Sequence, residues 1–335
     1  MGFTWSYVRN LASLAAGRKP SRPLLFSFYV TRRCPFACPH CSDGTGKPFR
    51  ETLSAELSTD EASRLLGILR RASDTLDVTG GEPLLRPDLE EILGRARALG
   101  FRTILNTKGA GLEKRPEILR LSDVLVIGMD ALEPAALALA MGGDVHAAEA
   151  VLSALRFAVA ECRKSGKRLV LSAVASPGRI EDAGRVLAFA EENGIGFHLS
   201  PQIQGVAANP ALRGDAAYLA LVDRTLAAKR RGARVLGVEP YYRGIRDFST
   251  FDCHPLLMPT IRPDGRLYYP CLEREQADVS LLEAGDYYVA LAKSRELHGP
   301  LPSCAGCCHV FCHMALSLLQ RHPVAALKEQ RCWRA

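Results

Sequence analysis

From about residue 58 to about residue 205, short runs rich in β-branched and aromatic residues alternate with longer stretches whose apolar positions recur at helical spacing. With the run at 24–31 upstream, the strand-like segments are 24–31, 75–79, 102–106, 121–130, 168–173 and 196–201. Ser58-Thr59-Asp60-Glu61 has the Ser and Glu spacing of a capping box and opens a helix leading to the second strand. Another helix starts at Pro87-Asp88 and closes at Gly100. Strands alternating with helices predict an α/β fold, a parallel sheet wound with helices. The periodicity suits a partial barrel and an ordinary doubly wound sheet equally, so on its own it leaves that choice open.

The two ends read differently. Phe3, Tyr7, Val8, Leu11, Leu14 and Ala15 fall on one face at helical spacing, with Arg9, Asn10 and Ser13 elsewhere. Arg18, Lys19 and Arg22 follow among Pro20 and Pro23. This amphipathic helix either caps the core or lies at an anionic lipid surface as a peripheral membrane contact. After about Pro240, aromatic, Pro and Cys residues replace the Ala-rich pattern, and 260–269 reads as a β-hairpin turning at Pro263-Asp264-Gly265. Three parts are expected: helix and linker 1–23, core 24–240, and a small Cys-rich α+β domain 241–335.

Composition narrows the function classes. At 335 residues, 47% hydrophobic and 24% charged, the chain is long enough for a large domain plus a smaller one. The +7 charge is spread without a dense basic run, which gives nucleic-acid binding little support. With no apolar stretch of about 18 residues and no signal peptide, the expected location is cytoplasmic, with membrane association through the first helix as the second reading. The 11 cysteines cluster at metal-ligand spacings, which argues against disulfides. Cys162 and Cys308 fit no ligand spacing, and buried free cysteine is a common core filler.

The chemistry concentrates in Cys34-Pro35-Phe36-Ala37-Cys38-Pro39-His40-Cys41. CxxxCxxC offers three thiolates, and a four-iron cluster so held keeps one iron open for a non-protein ligand. Zinc, the alternative, favours two separated CxxC-type pairs over a compact triplet. The second strand runs into Gly80-Gly81-Glu82-Pro83, where two glycines allow close backbone approach.

These motifs resemble those of the radical S-adenosylmethionine (radical SAM) enzymes. The resemblance implies a partial (β/α)6 TIM-type barrel with the cysteine loop after the first strand, and a [4Fe-4S] cluster on Cys34, Cys38 and Cys41. It implies that Gly80, Gly81, Glu82 and Pro83 bind the methionine amino group of S-adenosylmethionine. Thr107 matches the family's Thr-Asn-Gly turn, from which Lys108 departs. Asp130 stands where a carboxylate would accept from ribose hydroxyls, with Gly128 in place of the family's Ser. Ser172 is a further ribose candidate, or a strand serine bonded to backbone; His40 would pack against adenine or be solvated. The implied activity is reductive cleavage of S-adenosylmethionine to a 5′-deoxyadenosyl radical that abstracts a substrate hydrogen atom, with flavodoxin or ferredoxin as the kind of electron donor.

Cys253 and Cys271 flank the C-terminal hairpin, and Cys304-Ala305-Gly306-Cys307 follows later. This resembles the twitch domain, the shorter relative of the SPASM extension, and implies one auxiliary [4Fe-4S] cluster on Cys253, Cys271, Cys304 and Cys307. A zinc ribbon would use the same thiolates. Cys312 and Cys332, with His309 or His313 as substitutes, would hold a second auxiliary cluster, the minority reading. Tyr241, Tyr242, Arg243 and Arg246 either line a substrate pocket or pack between modules, and no catalytic base is identified. An auxiliary cluster that accepts an electron favours net oxidation, a dehydrogenation or bond formation, of a small molecule or lipid. A peptide- or protein-modifying maturase is the alternative, less favoured because about two dozen residues precede the core. A zinc-binding structural or interaction protein is the reading from another class.

Overall fold

The computed structural model describes residues 3–41, 55–301 and 308–333. Six strands, β1 (Phe26–Tyr29), β2 (Thr75–Thr79), β3 (Arg102–Thr107), β4 (Val124–Gly128), β5 (Arg168–Ala175) and β6 (Gly196–Pro201), lie side by side in chain order, all parallel. After α1 (Phe3–Ala15), the helices accompanying these strands are α2 (Thr59–Arg70), α3 (Leu89–Ala98), α4 (Glu117–Leu121), α5 (Pro134–Met141), α6 (Val145–Ser165) and α7 (Ile180–Asn193). This is the mixed α/β, mostly parallel architecture expected, consistent with a partial TIM barrel.

Local chemistry sets these elements. The capping box at α2 is formed: Ser58 Oγ accepts from the Glu61 N–H, and the Glu61 carboxylate accepts from the Ser58 N–H at 2.9 Å. Phe26, Phe28, Leu76, Val78, Leu105 and Ile127 are fully buried and join one continuous core with the helices. The β2 strand also buries Asp77, which accepts from Ser27 Oγ at 3.0 Å and from Asn106 Nδ2. Burial pushes this carboxyl up to about 7 despite both hydrogen bonds.

Beyond β6 come the small hairpin β7 (Ile203–Gln204) and β8 (Ala207–Ala208), then α8 (Ala216–Arg230) and α9 (Glu239–Asp247). The boundary expected at 240 falls inside α9, whose Tyr241 and Tyr242 are fully buried. Tyr241 donates to the Leu199 carbonyl on β6 at 3.0 Å and Tyr242 to the Leu236 carbonyl. Both tyrosines therefore pack the core, while Arg243 and Arg246 make ion pairs with Glu239 and Asp223.

The expected hairpin is present as β9 (Thr260–Ile261) and β10 (Arg266–Tyr269), extended by β11 (Gln276–Ser280). It joins the main sheet: β9 pairs parallel with β1, giving the order β11-β10-β9-β1-β2-β3-β4-β5-β6. The C-terminal segment thus shares the core sheet rather than forming a separate one. Four helices complete it, α10 (Leu281–Ala284), α11 (Tyr287–His298), α12 (Phe311–Arg321) and α13 (Pro323–Trp333).

Helix α1 docks on this body partly through its apolar face, Phe3 and Tyr7 packing against the Leu24, Leu25 and Leu257 cluster. Ser6 and Asn10 are buried whereas Val8 and Trp5 are half exposed. Asn10 bonds both ways to the Arg22 backbone, Tyr7 donates to the Leu319 carbonyl and the Phe3 N–H to Asp74. Among the described residues no single helix is long and apolar enough to cross a membrane.

Candidate functional site

The sheet places the ends of β1, β2, β3 and β4 next to one another, and the segments leaving them form the site. The cysteine loop is held by backbone bonds: Gly81 N–H to the Thr31 carbonyl at 2.9 Å, Glu82 N–H to that of Arg33 at 2.8 Å, and Ala37 N–H to that of Met141 at 3.0 Å. Glycine is required at these contacts. A Cβ on Gly80 would lie 2.3 Å from the Thr31 oxygen, on Gly81 2.3 Å from that of Arg33, and on Gly142 2.2 Å from that of Ala37. The glycine pair expected to admit a ligand thus first admits the cysteine loop, and Gly142, not anticipated, supports it from the other side.

Glu82 is buried and accepts from Thr107 Oγ at 2.6 Å, Lys108 N–H at 2.8 Å and Leu84 N–H at 3.0 Å. Burial pushes its carboxyl up, opposed by those donors. Pro83 opens the short 3-10 turn that Glu82 caps. Thr107 Oγ also accepts from the Gly109 N–H at 2.8 Å, so Glu82 and Thr107 together lock the β2 turn to the end of β3.

Lys108 was passed over at the sequence level because it breaks the motif. In the fold it is largely buried, with Nζ 2.7 Å from Asp130 Oδ2, and His40 Nε2 lies 3.4 Å from the same oxygen. Burial alone would raise the Asp130 carboxyl, but the Lys108 charge and His40 hold it well below the usual carboxylate range. Asp130 Oδ1 accepts from the Val174 N–H at 3.0 Å. The His40 ring is thus tied to Asp130 rather than solvated.

The Lys108 ammonium is raised, burial opposing and the charges at Asp130, Cys38 and Cys41 favouring its protonated form. Cys34 and Cys38 are pushed up by burial and drawn down by Lys108. The charge of this one cation is therefore felt at all three thiols. A cation among three half-buried thiols suits a thiolate-held cluster, since it offsets the charge that loss of the thiol protons creates.

Ser172 Oγ lies 3.0 Å from His198 Nδ1, a partner neither sequence reading anticipated. His198 on β6 is buried, which lowers its pKa to about 3, and its ring centroid lies 3.6 Å from that of Phe311. A cavity of about 180 Å³ opens beside these groups, walled by His40, Val174, Ser200, Pro201, Glu273 and Phe311 among others. Of the four cysteines expected at an auxiliary cluster, Cys253 is half-buried and Cys271 buried, and Cys304 and Cys307 lie outside the described residues.

Part of the chain matches known proteins. The radical SAM superfamily model matches residues 28–183. A protein named PqqA peptide cyclase from Streptomyces rochei is 34% identical over 171 residues, 49% of this chain and 44% of that protein. The chain therefore matches less than half the length of this curated relative. Streptococcus suis SuiB is similar in fold: TM-score 0.61 at 18% identity over 82% of this chain and 67% of SuiB. SuiB bound to its precursor peptide SuiA gives TM-score 0.58 at 16% identity, over 84% and 68% of the two chains. The radical SAM family whose model matches binds S-adenosylmethionine and a [4Fe-4S] cluster. Residues 28–183 are a radical SAM domain.

Proposed function

We propose that this protein is a radical SAM enzyme that modifies a peptide by net oxidation of one of its side chains. The observation that carries the substrate class is the 34% identity to a protein named PqqA peptide cyclase, which displaces the small-molecule or lipid reading drawn from the sequence. The likeness in fold to SuiB, solved with a precursor peptide, points the same way.

When bound, S-adenosylmethionine and the cluster supply a carbon-centred radical that takes a hydrogen atom from an unactivated C–H bond. Cys34, Cys38 and Cys41 would hold the cluster, and Lys108 would offset the negative charge of their thiolates. Gly80 to Pro83, stapled by Glu82 to Thr107, would form a rigid rim for the methionine end. Asp130, kept ionised by Lys108, would present a carboxylate toward ribose hydroxyls, and His40 would close the cavity wall on the adenine side. Hydrogen transfer needs its atoms held about 3–3.5 Å apart, which a preformed, water-poor wall favours.

The test is anaerobic reconstitution followed by dithionite and S-adenosylmethionine, with 5′-deoxyadenosine measured by chromatography and peptides by mass. Peptides encoded beside the gene should accelerate release and lose about 2 Da; wild type that releases no 5′-deoxyadenosine, or that responds to no peptide, overturns the proposal. The triple variant Cys34→Ala/Cys38→Ala/Cys41→Ala should release none.

A further inference from the structure

Docking leaves one side of α1 uncovered, far from any cysteine in sequence. At about 100° per residue, Trp5, Val8, Arg9, Ala12 and Ala15 fall within one arc of the helix, and all of them are exposed. Trp5 and Val8 are 50% and 51% exposed. The opposite arc holds Phe3, Ser6, Tyr7, Asn10 and Leu14, which are buried or half-buried.

A helix that only capped the core would turn polar residues to water. Here the outward arc carries two large apolar side chains one turn apart and no carboxylate. Its one cation is Arg9, whose guanidinium lies 5.5 Å from the Trp5 ring centroid. Apolar residues exposed singly need no explanation, but these share one arc. Charge narrows what covers it. Residues 1–42 contain no Asp or Glu, and Arg18 and Lys19, both exposed, follow the helix. The carboxylate that does meet α1, from Asp74, accepts from the Phe3 N–H at its start. A nucleic acid would call for several cations on the arc itself to meet its phosphates, where only Arg9 stands. Tryptophan with aliphatic residues on one face and cations at its rim is the composition of a helix lying in a membrane interface.

We propose that the outward arc of α1 is a docking surface for a bilayer containing anionic lipid. Trp5 and Val8 enter the headgroup boundary, and Arg9, Arg18 and Lys19 lie at the lipid phosphates. Each cation held near such a surface strengthens binding about fivefold. Few charges and two inserted side chains give attachment that is reversible and weakened by salt. The helix lies on the membrane rather than across it, since 13 residues are too few to span. None of these residues belongs to the cysteine loop or to the strand ends that form the candidate site, so attachment is independent of the radical chemistry and of the peptide reading.

The test is flotation of the purified full chain with vesicles of equal parts phosphatidylcholine and phosphatidylglycerol, and with vesicles of phosphatidylcholine alone. Binding should be about tenfold or more tighter to the anionic vesicles and should fall as salt is added. Trp5→Ser/Val8→Ser and Arg18→Glu/Lys19→Glu should each weaken it about tenfold or more. Both pairs are exposed, and circular dichroism checks that the variants fold. Trp333→Phe leaves Trp5 as the sole tryptophan, whose fluorescence brominated lipid in the anionic vesicles should quench. No binding to anionic vesicles, equal binding to both kinds, or no quenching overturns the proposal. Binding that survives Trp5→Ser/Val8→Ser marks a general polyanion contact and overturns it too. Release of 5′-deoxyadenosine plays no part in these measurements, so this proposal and the proposed activity can fail separately.

Discussion

Replacing Lys108 by Met should be the most informative single change, because it removes a buried charge without altering a cysteine. Lys108 Nζ is 2.7 Å from Asp130 Oδ2, and both side chains are largely buried. Breaking such a pair from one side leaves an uncompensated charge and costs about 3–5 kcal/mol. Unfolding entropy of about 2.1 cal/mol/K per residue converts that to a fall in Tm of about 4–7 °C at pH 7 for a chain this long. The sign with pH is set by Asp130. In wild type its lowered pKa contributes stability that is present at neutral pH and lost only as pH falls through its depressed folded value. Without Lys108 the burial that raises this carboxyl is opposed only by His40 and the Val174 N–H, so the penalty should shrink as pH drops toward 5 and the group takes up a proton. Calorimetry of anaerobic protein at pH 7 and pH 5 measures both quantities. The double variant Lys108→Met/Asp130→Asn should recover most of the lost Tm, since no charge is stranded. A Tm change under about 1 °C, or a penalty equal at both pH values, would refute the reasoning.

Other outcomes follow from single contacts. Gly81→Ala or Gly142→Ala should lower iron incorporation and 5′-deoxyadenosine release at least tenfold, because each Cβ would overlap a backbone oxygen of the cysteine loop; Gly67→Ala, with open space around it on α2, should instead raise stability by about 0.5–1 kcal/mol. Asp77 titrates near 7 in the fold, so the stability it contributes is fully present below its unfolded value of about 3.9 and lost as pH rises through 7. Asp77→Asn should therefore flatten the fall in Tm between pH 5 and pH 8, and an unchanged slope would show that another group is responsible. Asn10→Ala, which removes both bonds between α1 and Arg22, should cost about 1–3 kcal/mol and increase proteolysis within 3–22.

What could be read in advance is what local sequence encodes. The cysteine triplet, the glycine pair and the capping box each lie within eight consecutive residues, so a local reading of spacing is enough to single them out. Strand and helix alternation is equally local, and all six core strands occur close to where the pattern put them. The pairing of those strands is not local. Nothing in Thr260–Ile261 shows that it lies parallel to β1, more than 230 residues away, so the C-terminal hairpin looked like a separate module when it is an extension of the core sheet. Helix α1 shows the same limit: Asn10 is buried because Arg22 offers both a donor and an acceptor, a partner that apolar periodicity cannot register.

The residues missed at the site have one physical feature in common. Lys108, His198, Glu273 and Gly142 each acquire their character from a partner at least 20 residues away in sequence: Asp130, Ser172, His313 and Ala37. A lysine that breaks a motif looks like drift when the motif is read along the chain. Across the barrel mouth it is the cation that holds Asp130 ionised and draws down the thiols of Cys34 and Cys38. A substitution to Asn at 108 would match the family motif more closely and yet strand Asp130 in the interior. It follows that Lys108 and Asp130 must be considered as a unit: agreement with a motif at one position is informative only when the charge it faces is taken with it.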